Sequence, residues 1–362
     1  MPKFEPTFTL TLKMVNQLTS IERLYGQLIS EKLIPSLTLK LFQENKMLAT
    51  HYSTSIEGNP LSPQDVTNII LNDQIPVTKS EKEVKNYFEV LNRITILAKT
   101  RESITTELTK KLHRQLMQGI ELKDFGVFRD GGVFVGHRTK TEIVVKHNPP
   151  FHTSPEIETA LKELYEWVQE PSEYHPLIKA AILHHQFAYI HPFFDGNGRL
   201  ARILTTFFLL LNRYEVAKFF ILDDYYDVDR QAYSDSLHTA DTGNDTQWIE
   251  YFLEGIANSL QSANARIKEL QRVNLDDIEG EKRVLVTSRE EEVLRIIIDK
   301  KAVKTSDIDE ELGVTRQQAH SLLYSLVKKG LLDKFGSTKT SYYKLKDSKN
   351  DNEILKLENQ NT

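Results

Sequence analysis

The chain contains no cysteine among its 362 residues. Disulfides and thiolate metal sites are therefore excluded, and the composition fits a reducing, cytoplasmic setting. It lacks an apolar signal core at its start, because Met1-Pro2-Lys3-Phe4-Glu5-Pro6 is mixed and polar. It also lacks a long hydrophobic run. The densest, Ile203 to Leu211, is far too short to span a bilayer, so no membrane partner is expected. There is no excess of positive charge. A formal net charge of −5 leaves no global nucleic-acid footprint, although charge is uneven along the chain. Glycine and proline are sparse before residue 120, and there is no internal repeat. What is plentiful is apolar side chain, at 40% of residues, which is enough for sizeable cores in a chain long enough for two or more domains.

Apolar residues recur at helical spacing through residues 10 to 120, as in Ile21, Leu24, Tyr25 and Leu28, or Val84, Tyr87, Phe88, Val90 and Leu91. This region is expected to be mainly helical. Gly58-Asn59-Pro60-Leu61-Ser62-Pro63 breaks it, and Ser62 can cap a helix starting at Pro63. Gly126, Gly131, Gly132 and Gly136 then punctuate Val133-Phe134-Val135 and Ile143-Val144-Val145, which predicts a β-hairpin. Helix resumes over Ser154 to Val168 and Pro176 to Ile190, and again through Tyr233, Leu237, Trp248, Phe252 and Ile256.

The densest chemistry lies in His191-Pro192-Phe193-Phe194-Asp195-Gly196-Asn197-Gly198-Arg199-Leu200-Ala201-Arg202. Each residue type has a task if the ligand is a nucleotide polyphosphate. Gly196 and Gly198 allow a tight turn whose N–H groups point at an anion. The apolar run from Leu200 to Leu211 predicts a helix, so the turn delivers those groups at a helix N-terminus. Arg199 and Arg202 lie three apart, share one helix face and can grip neighbouring phosphates. Asp195 is a hard oxygen ligand suited to Mg²⁺. His191 has its ordinary pKa near neutrality, which suits a general base.

This run matches HPFx(D/E)GNGRxxR at every position and so resembles the signature of Fic (filamentation induced by cAMP) proteins. The resemblance covers roughly residues 50 to 255. It implies a mainly helical fold with one β-hairpin flap, and transfer of AMP from ATP, with Mg²⁺, to a Ser, Thr or Tyr hydroxyl of a target protein. His191 is then the catalytic base, and Asp195, Gly196, Asn197, Gly198, Arg199 and Arg202 hold the nucleotide, Asp195 through the metal. Some Fic relatives transfer other phosphate-containing groups or remove AMP.

Two further features resemble the family. Ser53-Thr54-Ser55-Ile56-Glu57-Gly58 fits its (S/T)xxxE(G/N) inhibitory motif, here ahead of the core in the same chain. Glu57 beside Arg202 would form a charge-assisted pair in the place of the ATP γ-phosphate. The predicted hairpin, with Gly126, Arg129, Val133, Gly136 and Pro149-Pro150, is similar to the family flap, which aligns a target segment by main-chain pairing. Arg230 to Leu237 resembles the RxxYYxxL stretch bordering the adenine pocket, and implies Tyr233 as a nucleotide contact; Ser234 stands where the family has its second tyrosine.

The C-terminal part has another pattern. Glu291 to Ile298 is amphipathic, and Thr305 to Ala319 predicts helix, Gly313 turn, helix, with Ala319, Leu322, Leu323 and Leu326 inward. Leu331-Leu332 and Ser341 to Leu345 predict a small hairpin with Gly336 at its tip. This resembles a winged helix-turn-helix. Residues 312–346 carry seven Lys or Arg and one acid, Asp333. Arg316, Gln317, Gln318 and Ser321 can read base edges, and Lys334 and Lys339 can touch phosphates; a protein-contact role for such a module is equally open.

The expected organisation is an N-terminal helical region with the inhibitory motif (1–95), a Fic catalytic core (96–260), a helical linker (261–285), a winged helix-turn-helix (286–346) and a disordered tail (347–362). The expected function is protein adenylyltransferase, restrained by Glu57 with Ser53 and Gly58, with an unidentified target protein and self-modification. The alternatives are a DNA-binding regulator whose Fic core senses nucleotide, a de-AMPylating or other transferase, and a toxin. DNA through 312–346 and a homodimer are partners the sequence leaves open.

Overall fold

The computed structural model describes residues 4–30, 35–72, 75–120, 125–138, 143–214, 221–277, 287–336 and 341–346. The chain forms two compact units, residues 1–32 with 40–276, and residues 33–39 with 277–362.

The first unit is built around two helices. Most side chains of α7 (Pro176–Ile190) are buried, and α8 (Asn197–Leu211) packs along it. A helix buried on most of its faces belongs at the centre of a helical bundle. Leu177, Ile182, Leu183 and Phe187 on α7, with Leu200, Leu204 and Phe207 on α8, are fully withdrawn from water. Each such side chain contributes about 2 kcal/mol. The same unit holds α1 (Leu12–Ser30), residues 40–56 of α2 (Pro35–Ile56), α3 (Pro63–Leu71), α4 (Lys79–Lys99), α5 (Thr106–Leu116) and α6 (Ser154–Gln169). Helix α4 packs on α8, and α6 on α7. Local chemistry sets the ends. Ser62 and Asp65 form a reciprocal capping box at α3, as Thr153 and Glu156 do at α6. Lys179, buried in α7, donates its ammonium to the carbonyls of Trp167, Val168 and Glu170, which closes the C-terminal end of α6.

The expected hairpin forms, β1 (Val135–Arg138) antiparallel to β2 (Ile143–His147), with a register irregularity between Val135 and Gly136. Its first strand begins two residues later than the sequence predicts. Val133 and Phe134 stand outside the ladder, following Gly131 at φ +148°. The unit continues with α9 (Leu222–Val228), α10 (Arg230–Thr239), a short 3-10 turn (Ala240–Thr242) and α11 (Thr246–Asp277). Helix α11 runs unbroken for 32 residues. The expected boundary at 260/261 falls inside it, and Leu260 and Ile267 are both buried. The expected boundary at 95/96 likewise falls inside α4.

In the second unit α12 (Ser288–Lys300), α13 (Thr305–Leu312) and α14 (Arg316–Lys328) precede a hairpin, β3 (Leu332–Phe335) antiparallel to β4 (Tyr342–Leu345). A single bridge joins Val303 to Tyr343. Val293, Ile297, Ile308, Ala319, Leu323, Leu326 and Tyr343 form its core, with Leu322 half-buried against it. Gly313 (φ +59°) ends α13, and Gly336 (φ +77°) follows β3. Gln318, expected to read bases, accepts hydrogen bonds from the backbone N–H and hydroxyl of Thr315 through its amide oxygen, so that oxygen is committed to the α14 cap. Lys339, residues 278–285 of the expected linker and the tail 347–362 lie outside the described residues. Among the described residues no helix is long and apolar enough to cross a membrane.

Candidate active site

The candidate site lies on the turn from α7 into α8. His191 ends α7 with a left-handed backbone, φ +50°. A non-glycine residue there is strained, and the surrounding structure must hold it. Arg129 does so. It is fully buried and donates to the carbonyls of His191 at 2.7 Å, Gly131 at 2.6 Å and Ile190 at 3.2 Å. The His191 ring lies with Nδ1 3.2 Å from the Ala188 carbonyl. A carbonyl only accepts, so the proton sits on Nδ1 and Nε2 keeps its lone pair. Burial, opposed by the Ala188 hydrogen bond, lowers the imidazole pKa to about 4. The ring is therefore neutral at neutral pH, as a base must be.

The loop beyond His191 is fixed by its own side chains. Asn197 accepts from the Phe193 N–H at 2.9 Å and donates to the Phe193 carbonyl at 2.8 Å. Its side chain is buried and spent on the loop, so it shapes the turn, and its expected nucleotide-binding role falls to its backbone in the Gly196-Asn197-Gly198 nest. Gly196 takes φ +79°, and a Cβ there would stand 2.9 Å from the Met117 sulfur. Only glycine fits both constraints. Helix α8 has no side-chain cap at its N-terminus. The N–H groups of its first turn are therefore left for an anion.

Asp195 Oδ1 accepts from the Gly196 N–H at 2.6 Å and lies 3.4 Å from Arg199 Nη2, with 40% of its side chain exposed. Arg199 is buried. Its Nη1 faces Glu83 at 3.3 Å as an ion pair, yet Nη1 and Nε have no hydrogen-bond acceptor. A buried guanidinium with unsatisfied donors is costly unless a further anion completes it.

Arg202 is engaged through Nε and Nη2. Its Nε donates to Ser53 Oγ at 2.6 Å, and Nη2 donates to the Ser53 carbonyl and to Glu57 Oε1, both at 2.8 Å. Ser53 and Glu57 are four apart, so the end of α2 presents them on one face. Gly58, at φ +89°, closes that end. A methyl group at Gly198 would collide with Glu57 Oε1, so glycine there also lets the carboxylate approach. Burial pushes the Glu57 carboxyl up, but the charges of Arg202 and Arg199 and the Arg202 hydrogen bond hold it below its ordinary value.

Three site residues carry no sequence signal. Asp223, on α9, lies 3.2 Å from Arg202 Nε, and burial, opposed by Arg202, raises its carboxyl to about 6. Glu83 pairs with Arg199 and accepts from Asn59 Nδ2 at 2.9 Å, linking the end of α2 to the loop. His113 stacks on Phe193 with ring centroids 3.6 Å apart; its Nδ1 accepts from the Gly126 N–H, so its Nε2–H donates to the Asp195 carbonyl at 3.0 Å. Tyr233, expected as a nucleotide contact, sits in the aromatic core. Its ring stacks on Tyr226 with centroids 4.2 Å apart, and its hydroxyl is 2.8 Å from His184 Nε2 within the aromatic core around Trp248. It is buried in that core next to Arg202.

Residues 103–209 match the family model described as Fic/DOC family. The chain is 24% identical over 233 residues to "Protein adenylyltransferase fic-1" of Caenorhabditis elegans, covering 61% of this chain and 42% of that protein. It is 30% identical over 193 residues to "Protein adenylyltransferase Fic" of Nematostella vectensis, covering 50% and 42%. The chain thus spans under half the length of these curated relatives. A solved Fic family protein from Desulfovibrio desulfuricans G20 aligns with TM-score 0.62 and 22% identity over 95% of this chain and 99% of that one. Residues 134–508 of C. elegans Fic-1 align with TM-score 0.58 and 22% identity over 71% and 73%. These likenesses establish the fold.

Proposed function

We propose that this chain, whose residues 103–209 form a Fic domain, is a protein adenylyltransferase that moves AMP from ATP to a hydroxyl of a target protein. The observation that carries the proposal is the pairing of a neutral, Nε2-open His191 with an uncapped helix N-terminus and an incompletely partnered Arg199. The N–H groups of the first turn of α8 and the Arg199 guanidinium receive the phosphates. Nε2 of His191 takes the proton of a Ser, Thr or Tyr hydroxyl as its oxygen bonds to the α-phosphorus. The bond to the bridging oxygen breaks and pyrophosphate leaves. Positioning and charge stabilisation supply most of the rate, as in other phosphoryl transfers. The exposed, acceptor-only Asp195 carboxylate fits Mg²⁺, which would neutralise phosphate charge when bound.

Glu57 restrains this enzyme by occupying Arg202, the second phosphate ligand. The self-modification expected of such an enzyme, a cytoplasmic setting and the winged-helix role of residues 286–346 belong to the same proposal. Arg316 and Gln317 are exposed on the first turn of α14, which supports DNA contact as the second role of that unit. ATP, GTP, CTP and UTP, each labelled at the α-phosphate, incubated with the protein and a lysate test the enzyme directly. Label is expected on protein from ATP alone and is expected to vanish in His191→Ala. Transfer undiminished in that variant, or operator binding with no transfer from any nucleotide, contradicts the proposal.

A further inference from the structure

Where the flap meets α10, three ligand-type side chains converge. His147 ends β2, His238 lies on α10, and Asp241 lies in the 3-10 turn that follows. Asp241 Oδ2 is 2.8 Å from His147 Nδ1 and 2.9 Å from His238 Nδ1. The opposite face of the His147 ring places Nε2 2.8 Å from the Tyr189 carbonyl. That carbonyl only accepts, so Nε2 carries the proton of the neutral ring, and Nδ1 presents a lone pair. A lone pair and a carboxylate oxygen cannot face each other at 2.8 Å without a cation between them. The cation is either an extra proton or a metal ion. The arrangement on Nε2 matches that of a metal-binding histidine, whose other ring N–H donates to a backbone carbonyl and fixes the tautomer. Asp241 is oriented the same way, since its other oxygen lies 3.0 Å from His185 Nε2 on α7.

We propose that His147 Nδ1, His238 Nδ1 and Asp241 Oδ2 form a binding site for a late first-row divalent cation, Zn²⁺ being the best fit. Two imidazole nitrogens and one carboxylate oxygen suit zinc and leave a position for water; they do not suit Mg²⁺, which prefers oxygen ligands. Metal–ligand bonds of about 2.0 Å in tetrahedral array set the ligand atoms roughly 3.3 Å apart, so the cluster opens by about half an ångström to admit the ion. His238 is partly exposed and can make that movement. The metal displaces the Nδ1 protons to solvent. Its effect is mechanical. Lys146 already holds the end of β2 to Ser234 at 3.0 Å and Gln231 at 3.3 Å on α10. The ion adds a second, stronger tie beside it, fixing the end of β2 in the flap that pairs with a target segment in the proposed reaction. Metal uptake itself does not depend on that reaction.

The test is a zinc titration of the full, nucleotide-free chain after EDTA treatment, read by calorimetry and thermal unfolding, with cobalt(II) absorption as a coordination signature. One equivalent of Zn²⁺ is expected to bind and raise the unfolding temperature, and Co²⁺ to give visible ligand-field bands. His238→Ala, on a partly exposed position that spares the core, should weaken zinc at least about tenfold and abolish the bands. Asp241→Asn should do the same, with far-UV dichroism checking its fold. Asp195→Ala should bind as wild type does. Failure to take up zinc, uptake unchanged in His238→Ala, or uptake lost in Asp195→Ala overturns the proposal.

Discussion

Arg202 is a side chain with several claimants. It donates to Ser53 and Glu57 and lies beside Asp223, so three groups compete for one guanidinium. Removing Glu57 still leaves a carboxylate and a hydroxyl against the buried arginine, and the Glu57 side chain is itself partly exposed, so the fold should survive. His191 supplies a pH prediction. Burial holds its pKa at about 4, below the ordinary 6.5, so the base stays unprotonated down to that pH. The acid limb of kcat/KM for AMP transfer, measured on Glu57→Gly, should lie near pH 4, leaving the rate flat from pH 6 to 8. Loss of the Glu57 charge, which raises the His191 pKa, moves the limb further to acid. A limb centred near 6.5 would mean that His191 is solvated, or is not the base.

The local sequence carries much of this site, since the turn, both arginines and the Ser53–Glu57 spacing lie within single helical turns. What it does not carry is contact between distant segments. His113 and Asp195 are 82 positions apart, and no local pattern in α5 marks a histidine whose ring must support that loop. The packing of Tyr233 is illegible for the same reason. A tyrosine on a helix has the same sequence signature whether it meets adenine or Tyr226 and His184.

At the scale of elements, side-chain caps were legible and continuity was not. Ser62 before Pro63 predicts the start of α3 to the residue, and the capping box with Asp65 explains why. Helix α11 was divided in the sequence at residue 261 because its outward face turns polar there, while Ile267 keeps packing inward. The second unit holds its first helix by Glu290. This nearly buried carboxylate caps α12 with Thr287, accepts from Ser325 Oγ at 2.6 Å, and accepts from Lys329 Nζ at 2.6 and 2.7 Å. Burial opposes its charge, but these bonds hold its pKa at about 2. A depressed carboxylate pKa gives stability that is complete above the unfolded value, near 4.5, and is lost as pH falls toward 2. Glu290→Gln should therefore destabilise residues 287–346 by about 2 kcal/mol at pH 7 and by much less at pH 3, in urea unfolding followed at this unit. Equal losses at both pH values would mean that the charge is not what matters.

At the scale of the whole molecule, the candidate catalytic residues all fall within residues 40–276, and the second unit has its own apolar core. A chain ending at Lys282 should keep self-labelling with AMP; a folded but inactive truncation would assign residues 283–362 a part in the reaction. The central claim is a transferase whose base is His191 and whose restraint is Glu57, and one measurement tests both parts. Self-labelling from α-labelled ATP with Mg²⁺ is followed side by side in wild type, Glu57→Gly and Glu57→Gly with His191→Ala. Freeing Arg202 for the γ-phosphate need shift the productive pose by only about 1.4 kcal/mol to raise its population tenfold, and a charge-assisted contact is of that order. Label on Glu57→Gly is expected about tenfold or more above wild type, and none on the double variant; equal labelling of wild type and Glu57→Gly would show that Glu57 is no brake, and label persisting without His191 would show that His191 is not the base.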